Sequence, residues 1–305
     1  MPFYVGTNKI GSVRDSSNTI GSAFLGYTRV LGVGQNRTVP SGSASGATIT
    51  YDGDYAIFTY TGSGTFDLNT DYYIDALVVG AGGSGGQNSF PPSYGGGGGG
   101  GGGVIYGTNL SISSGSYVIT VGTGSAGYNG QDSSIDTWAI AKGGGGPYTV
   151  EDGGSGGGGQ MNGSSATAPG IAISGTVPAG ATEYGNAGGT ATATQGGGGG
   201  GATEAGGNAP KPGTNYGGKG GDGLEVSITG TPTYYGGGGG GGVGGVISGD
   251  AANGGLGGGG RGDSSNIDAL PGTDYLGGGG GGNVDSGFKR GGHGVVIIRI
   301  KYQNI

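Results

Sequence analysis

Unbroken glycine runs interrupt the chain: nine at residues 95–103, seven at 236–242, and six each at 196–201 and 277–282. No side chain is available for burial along such a stretch, so whatever orders it must act through the backbone. Collagen orders glycine by placing it at every third position beside abundant proline. Here the glycines are consecutive and proline is only 11 of 305 residues, which excludes a triple helix. A flexible linker is the usual fate of Gly/Ser sequence. Against it stand the scarcity of serine inside the runs, their recurrence at comparable lengths, and strand-like sequence on both sides of the whole glycine-rich insertion. Charged residues at 10%, a net charge of −7 and 18 tyrosines also differ from a solvating tail.

Ordering a glycine costs roughly 0.5–1 kcal/mol more than ordering an alanine, about what one hydrogen bond contributes net. Backbone pairing can therefore offset it, provided nearly every peptide group is paired. A polyproline II-type helix makes no internal hydrogen bonds, so its N–H and C=O groups are all free to pair with neighbours. With hydrogen as the side chain, such helices can approach each other on every flank. At about 3.1 Å per residue the nine-residue run spans roughly 28 Å. The expectation is a bundle of parallel and antiparallel polyglycine II helices, with the intervening segments displayed as loops at its ends.

Three regions follow along the chain. Residues 1–46 hold two similar phrases, Phe3-Tyr4-Val5-Gly6-Thr7-Asn8-Lys9-Ile10 and Phe24-Leu25-Gly26-Tyr27-Thr28-Arg29-Val30-Leu31, and end in the linker-like Ser41-Gly42-Ser43-Ala44-Ser45-Gly46. They are expected to form an attachment segment. Residues 47–121 carry β-rich runs around Ile49, Ile57, Phe66, Val78 and Ile119, bounded by Asp-Gly and Gly-Ser-Gly turn signals. Val295-Val296-Ile297-Ile298-Arg299-Ile300 reads as a buried strand, and residues 294–305 are expected to complete the same sandwich. Residues 122–293 form the glycine-rich region. The fold class is thus all-β with little or no helix: a small β-sandwich closed by N- and C-terminal strands, with an inserted bundle of polyglycine II helices.

At this point the ordered phrases resemble the phage-associated glycine-rich domain proteins. These carry a "gsGtF" phrase after a hairpin, "LVVGxGGxGG", a glycine run followed by "GVIYG", "SGSYxITVGxGxxG" and a closing "GxGVVIIRx". The corresponding stretches here are residues 55–66, 77–86, 95–107, 114–127 and 292–300. The N-terminal phrases are similar to repeats at the start of phage structural proteins, and the glycine runs resemble those of polyglycine-sandwich adhesins at the tips of T-even-like long tail fibres. The resemblance implies a virion protein of the phage tail, made in the host cytoplasm, that contacts a bacterial surface receptor, either glycan or outer-membrane protein, through displayed loops. Residues 1–46 would dock onto another tail or baseplate protein, as one chain or as three.

The chemistry of the remaining residues is sparse. There is no cysteine, and a pI near 4.5 with 12 Lys plus Arg argues against nucleic acid. No apolar stretch is long enough to cross a membrane as a helix, so no insertion is expected. The lone histidine, His293, reads as structural. Ser84 and Ser155 each sit in G-x-S-x-G, which chance supplies in so glycine-rich a chain, and Lys219 lacks the Ser/Thr of a phosphate-binding loop. Asp132 with Asp136, or Asp52 with Asp54, lack EF-hand spacing, and Arg261-Gly262-Asp263 reads as a plain turn. No metal, cofactor or catalytic residue is expected. The suggestive set is aromatic: Tyr94, Tyr128, Tyr148, Tyr184, Tyr216, Tyr234, Tyr235 and Tyr275, expected between glycine runs and outside the strands, divided between receptor contact and capping of rod ends, with Trp138 a cap. Two other functions stay open. One is a structural or ice-binding surface, for which regular Thr or Ala every third residue is missing; the other is a depolymerase using Glu151 with Asp152, or Glu183 with Glu204.

Overall fold

A computed structural model describes residues 13–14, 19–20, 37–38, 41–87, 94–146, 152–162, 165–192, 194–210, 216–244, 250–264, 267–284, 287–301 and 303–304. Both N-terminal phrases of the expected attachment segment lie outside them, as do Tyr148 and Glu151. Among the described residues there is no helix. The main strands are β1 Ser41–Ser45, β2 Thr48–Asp52, β3 Tyr55–Tyr60, β4 Gly64–Leu68, β5 Tyr72–Val79, β6 Val104–Ile112, β7 Gly115–Thr120, β8 Ser133–Ile135, β9 Ala139–Ala141, β10 Thr182–Tyr184, β11 Leu224–Val226, β12 Thr233–Tyr235 and β13 Val295–Lys301.

Two antiparallel sheets form the sandwich. One has five strands in the order β9-β8-β7-β4-β1, the other six in the order β10-β6-β5-β13-β3-β2. Alternation along the strands builds the core between them: Ala56, Phe58 and Tyr60 of β3 and Ile74, Ala76 and Val78 of β5 meet Phe66, Leu68, Ile119 and Ile135 of the other sheet. The Phe58 and Phe66 rings meet edge-on at 5.4 Å, the favourable aromatic geometry. The six-stranded sheet is buried on its second face too, where Ile57, Leu77, Val79, Val104, Val295 and Ile297 pack against Val226, Ile228 and Tyr235 of the β11–β12 hairpin and its turn. Burial on both faces is why β5 and β13 read as continuous apolar runs rather than alternating ones. The last strand, β13, fits between β3 and β5, with Arg299 opposite both Ile57 and Asp75.

The sandwich leads directly into the glycine segments. Residues 80–86 continue β5 and pair antiparallel with residues 103–97: the amides of Gly80, Gly83 and Gly86 donate to the carbonyls of Gly103, Gly100 and Gly97. The run at 95–103 donates in three directions. Gly95, Gly98 and Gly101 reach Thr194, Gly197 and Gly200; Gly99 and Gly102 reach Gly280 and Gly277; Gly100 and Gly103 reach Gly145 and Lys142. Each direction returns every third residue. Gly242 and Gly239 donate inward to Gly96 and Gly99, and Gly158 and Ser155 to Gly98 and Gly101. Six segments therefore surround this run, with only backbone and no side chain between. A Cβ on Gly97 would lie 2.0 Å from the carbonyl oxygen of Gly158, and one on Gly98 2.0 Å from that of Gly239. Only glycine permits that approach.

These pairings give the layer two ends. At the near end, against the sandwich, segments meet strands at Gly80, Gly103, Gly236 and Gly294; at the far end lie Gly86, Gly95, Gly196, Gly242 and Gly282. The described chain meets the sandwich on the opposite side. Ser41 pairs with Leu68, Lys301 with Tyr55, and Arg37–Thr38 with Gln303–Asn304. All lie at the strand ends remote from the glycine layer.

Candidate functional site

The far end of the glycine layer is built by a change in residue type. At the near end the segments adjoin apolar residues, Val79, Val104, Tyr235, Leu276 and Val295. At the far end they adjoin carboxamides: Gln87 after Gly86, Gln160 after Gly159, Gln195 before Gly196, Asn208 after Gly207 and Asn283 after Gly282. A carboxamide carries the donor and acceptor of a peptide group, so it can end a backbone hydrogen-bond network without leaving it unpaired. The Asn283 Nδ2 donates to the Gly287 carbonyl (2.8 Å), its Oδ1 accepts from Val284 N–H, and Asn208 Oδ1 accepts from Thr190 N–H (2.9 Å). Gln195 Oε1 accepts from the Thr192 hydroxyl within a tight turn. Gln160, Gln195 and Asn283 are all buried, and Gln87 bridges to Asn283 in parallel; Gln160 departs from the pattern, its Oε1 having no hydrogen-bond partner among the described residues. In the sequence these residues adjoin the runs at 196–201 and 277–282 and the shorter stretches ending at Gly86, Gly159 and Gly207, whereas the runs at 95–103 and 236–242 meet the far end at Tyr94 and Val243.

The tyrosines expected to share one role are dispersed. Tyr94 and Tyr216 stand at the far end, directly before Gly95 and Gly217, and Tyr216 is half exposed. Tyr128 is exposed on the flank, where its carbonyl accepts from Ser84 N–H. Tyr275 lies at the near end in a turn at φ 63°, its ring 6.0 Å from that of His293. The expectation that these residues avoid strands is corrected for three of them. Tyr184 pairs with Val104 in the six-stranded sheet, and Tyr234 and Tyr235 belong to β12, with Tyr235 buried in the outer-face core. The missed signal was a short hairpin, Leu224-Glu225-Val226 and Thr233-Tyr234-Tyr235, turning at Gly230 with φ +85°. Trp138 packs against the sandwich core.

Other chemically suggestive residues serve the backbone. Ser84 and Ser155 are fully buried among glycine segments; the Ser84 O–H is shared between the Gly85 and Lys289 carbonyls and its oxygen accepts from Gly127 N–H, while the Ser155 hydroxyl has no hydrogen-bond partner among the described residues. Glu183 accepts from Gly175 N–H, and Glu204 from Asp222 N–H and Lys219. Asp132 holds Lys142 Nζ at 2.9 Å and Gly143 N–H. Asp274 binds Arg290 through both oxygens, and that hydrogen-bonded guanidinium holds its pKa down at about 2. Burial pushes the Tyr235 phenol above its ordinary value.

The family model of the glycine-rich domain matches residues 59–301, from within β3 to the end of β13. The chain belongs to the glycine-rich domain family. No curated protein matches this glycine-rich domain significantly. The matched span contains the glycine layer and the sandwich strands from β4 to β13, and leaves out β1, β2 and most of β3.

Proposed function

We propose that this glycine-rich domain is the receptor-binding part of a phage tail fibre or fibre tip, carried in the virion, and that its glycine segments are packed polyglycine II helices. The observation that carries the reading is directional: the sandwich stands at one end of the glycine layer, and the segments extend from it to a far end of loop bases. Hydrogen bonds recurring every third residue, with six segments around residues 95–103, support the helix type. Because backbone-to-backbone bonds dominate the layer, loop sequence is free to vary without repacking a core. That suits a surface selected for recognition. Of residues 1–46, read from sequence as attachment segment and linker, Ser41–Ser45 is instead strand β1 of the sandwich; the part before it would join another tail or baseplate protein, and the far end would meet a host glycan or outer-membrane protein, without catalysis.

The test is adsorption. Alanine at both Tyr94 and Tyr216 should slow phage adsorption about tenfold, the effect of losing roughly 1.4 kcal/mol of binding, with the melting temperature unchanged. Adsorption at the wild-type rate would sink the far-end assignment. The same two substitutions at the flank and near end, Tyr128 and Tyr275, should leave adsorption alone.

A further inference from the structure

We propose a second binding site, for a carboxylate-bearing sugar, on the outer face of the six-stranded sheet at the end remote from the glycine layer. It does not depend on the far-end reading. The β11–β12 hairpin and its turn cover Ile57, Leu77 and Ile297, but the next same-face positions outward along each strand are Tyr55, Asp75 with Tyr73, and Arg299 with Lys301. Together with Asn109 they line an open groove of about 630 Å³. Apolar positions thus give way to aromatic and charged ones where the cover ends.

The polar groups are held in place. Arg299 Nε and Nη2 both lie 2.8 Å from Asp75 Oδ2, and the guanidinium sits 4.6 Å over the Tyr55 ring. The other oxygen, Asp75 Oδ1, accepts from Asn109 N–H at 2.8 Å. Asn109 stands at φ 53° where β6 is irregular against β5 between Ile74 and Ala76. Such irregularities commonly re-aim side chains beside functional sites. Burying an ion pair costs desolvation, and an apolar pair of similar volume would serve stability as well or better. Its benefit here is to orient a guanidinium and an aromatic ring at the groove floor.

Tyr73, 61% exposed, offers an unoccupied aromatic surface at the rim. The electron-rich face of such a ring suits the C–H face of a pyranose, while the Asn109 amide can hydrogen-bond hydroxyls in both senses. Lys301 has no acidic partner among the described residues, so Asp75, Arg299 and Lys301 leave one positive charge in excess. A sugar carboxylate would pair with it. That charge separates an acidic sugar from a neutral one.

Full-length protein is titrated with a glucuronic acid oligosaccharide and, in parallel, a glucose oligosaccharide of equal length. The acidic oligomer should bind more tightly. Tyr73→Ala should weaken both about tenfold, as loss of an aromatic contact does, and Lys301→Gln should bring the acidic oligomer to the neutral level and abolish its salt dependence. The Tyr94→Ala, Tyr216→Ala double variant should bind the acidic oligomer normally, which separates this site from the far end. Unmeasurable binding of the acidic oligomer at millimolar concentration, no preference for it, or binding unaffected by both Tyr73→Ala and Lys301→Gln would overturn the proposal.

Discussion

One methyl group is enough to probe how tightly the glycine segments meet. At Gly98 a Cβ would fall 2.0 Å from the Gly239 carbonyl oxygen, whereas at Gly62 it would have nothing within 4 Å. Because the obstruction at Gly98 is backbone held from several sides, relief requires moving whole segments. Gly98→Ala should cost about 3 kcal/mol in denaturant unfolding, and Gly62→Ala should stay within about 0.5 kcal/mol; equal effects would contradict the close approach. Neighbouring tyrosines should separate similarly. Tyr235 is buried and Tyr234 half-buried, so alanine should cost about 3–5 kcal/mol at Tyr235 and clearly less at Tyr234. Asp274 gives a pH signature. Its folded pKa of about 2 lies below the unbound value of 3.8, so on acidification the unfolded chain takes up the proton first. The stabilisation is present above about pH 4 and is lost as pH falls towards 2. Asp274→Asn should flatten the stability slope in that window.

At the scale of elements, the glycine run at 95–103 is enclosed by six other segments. Its hydrogen-bonded amides, Gly98 to Gly103, should exchange with solvent only on global unfolding, more slowly than those of the edge strand β2, which pairs with β3 alone among the described strands. Fast exchange in the run would show that its bonds do not persist. Much of this organisation was legible. The strands around Ile57, Val78, Ile119 and Ile297 announce themselves by apolar and β-branched character, and the buried-strand character of residues 295–300 anticipates the closure of the sandwich. The hairpin at Leu224–Val226 and Thr233–Tyr235 was hidden because three-residue strands carry too little periodicity to stand out beside long glycine runs. The polar rim escaped for another reason: its members are single residues that acquire meaning only when the segments are known to run alternately towards and away from the sandwich. The Arg299–Asp75 pair depends on register across residues more than two hundred apart, which no local pattern encodes.

For the molecule as a whole, the decisive fact is that the sheet is completed by the strand farthest along the described sandwich sequence. Long-range antiparallel pairing requires closing large loops before any reward is obtained, so folding should be slow for a chain of this size, in the range of milliseconds to seconds or longer. Removing residues 295–305 should leave a chain without cooperative unfolding, whereas removing residues 1–36 should leave the sandwich intact; a cooperative transition in the first variant would refute the central role of β13. The same placement bears on synthesis. Until Val295–Lys301 emerges from the ribosome, β3 and β5 lack their shared neighbour, and their edges are open to proteases and to other chains. A chain interrupted before β13 therefore leaves both edges open, and a pulse of protease should degrade it faster than the finished domain.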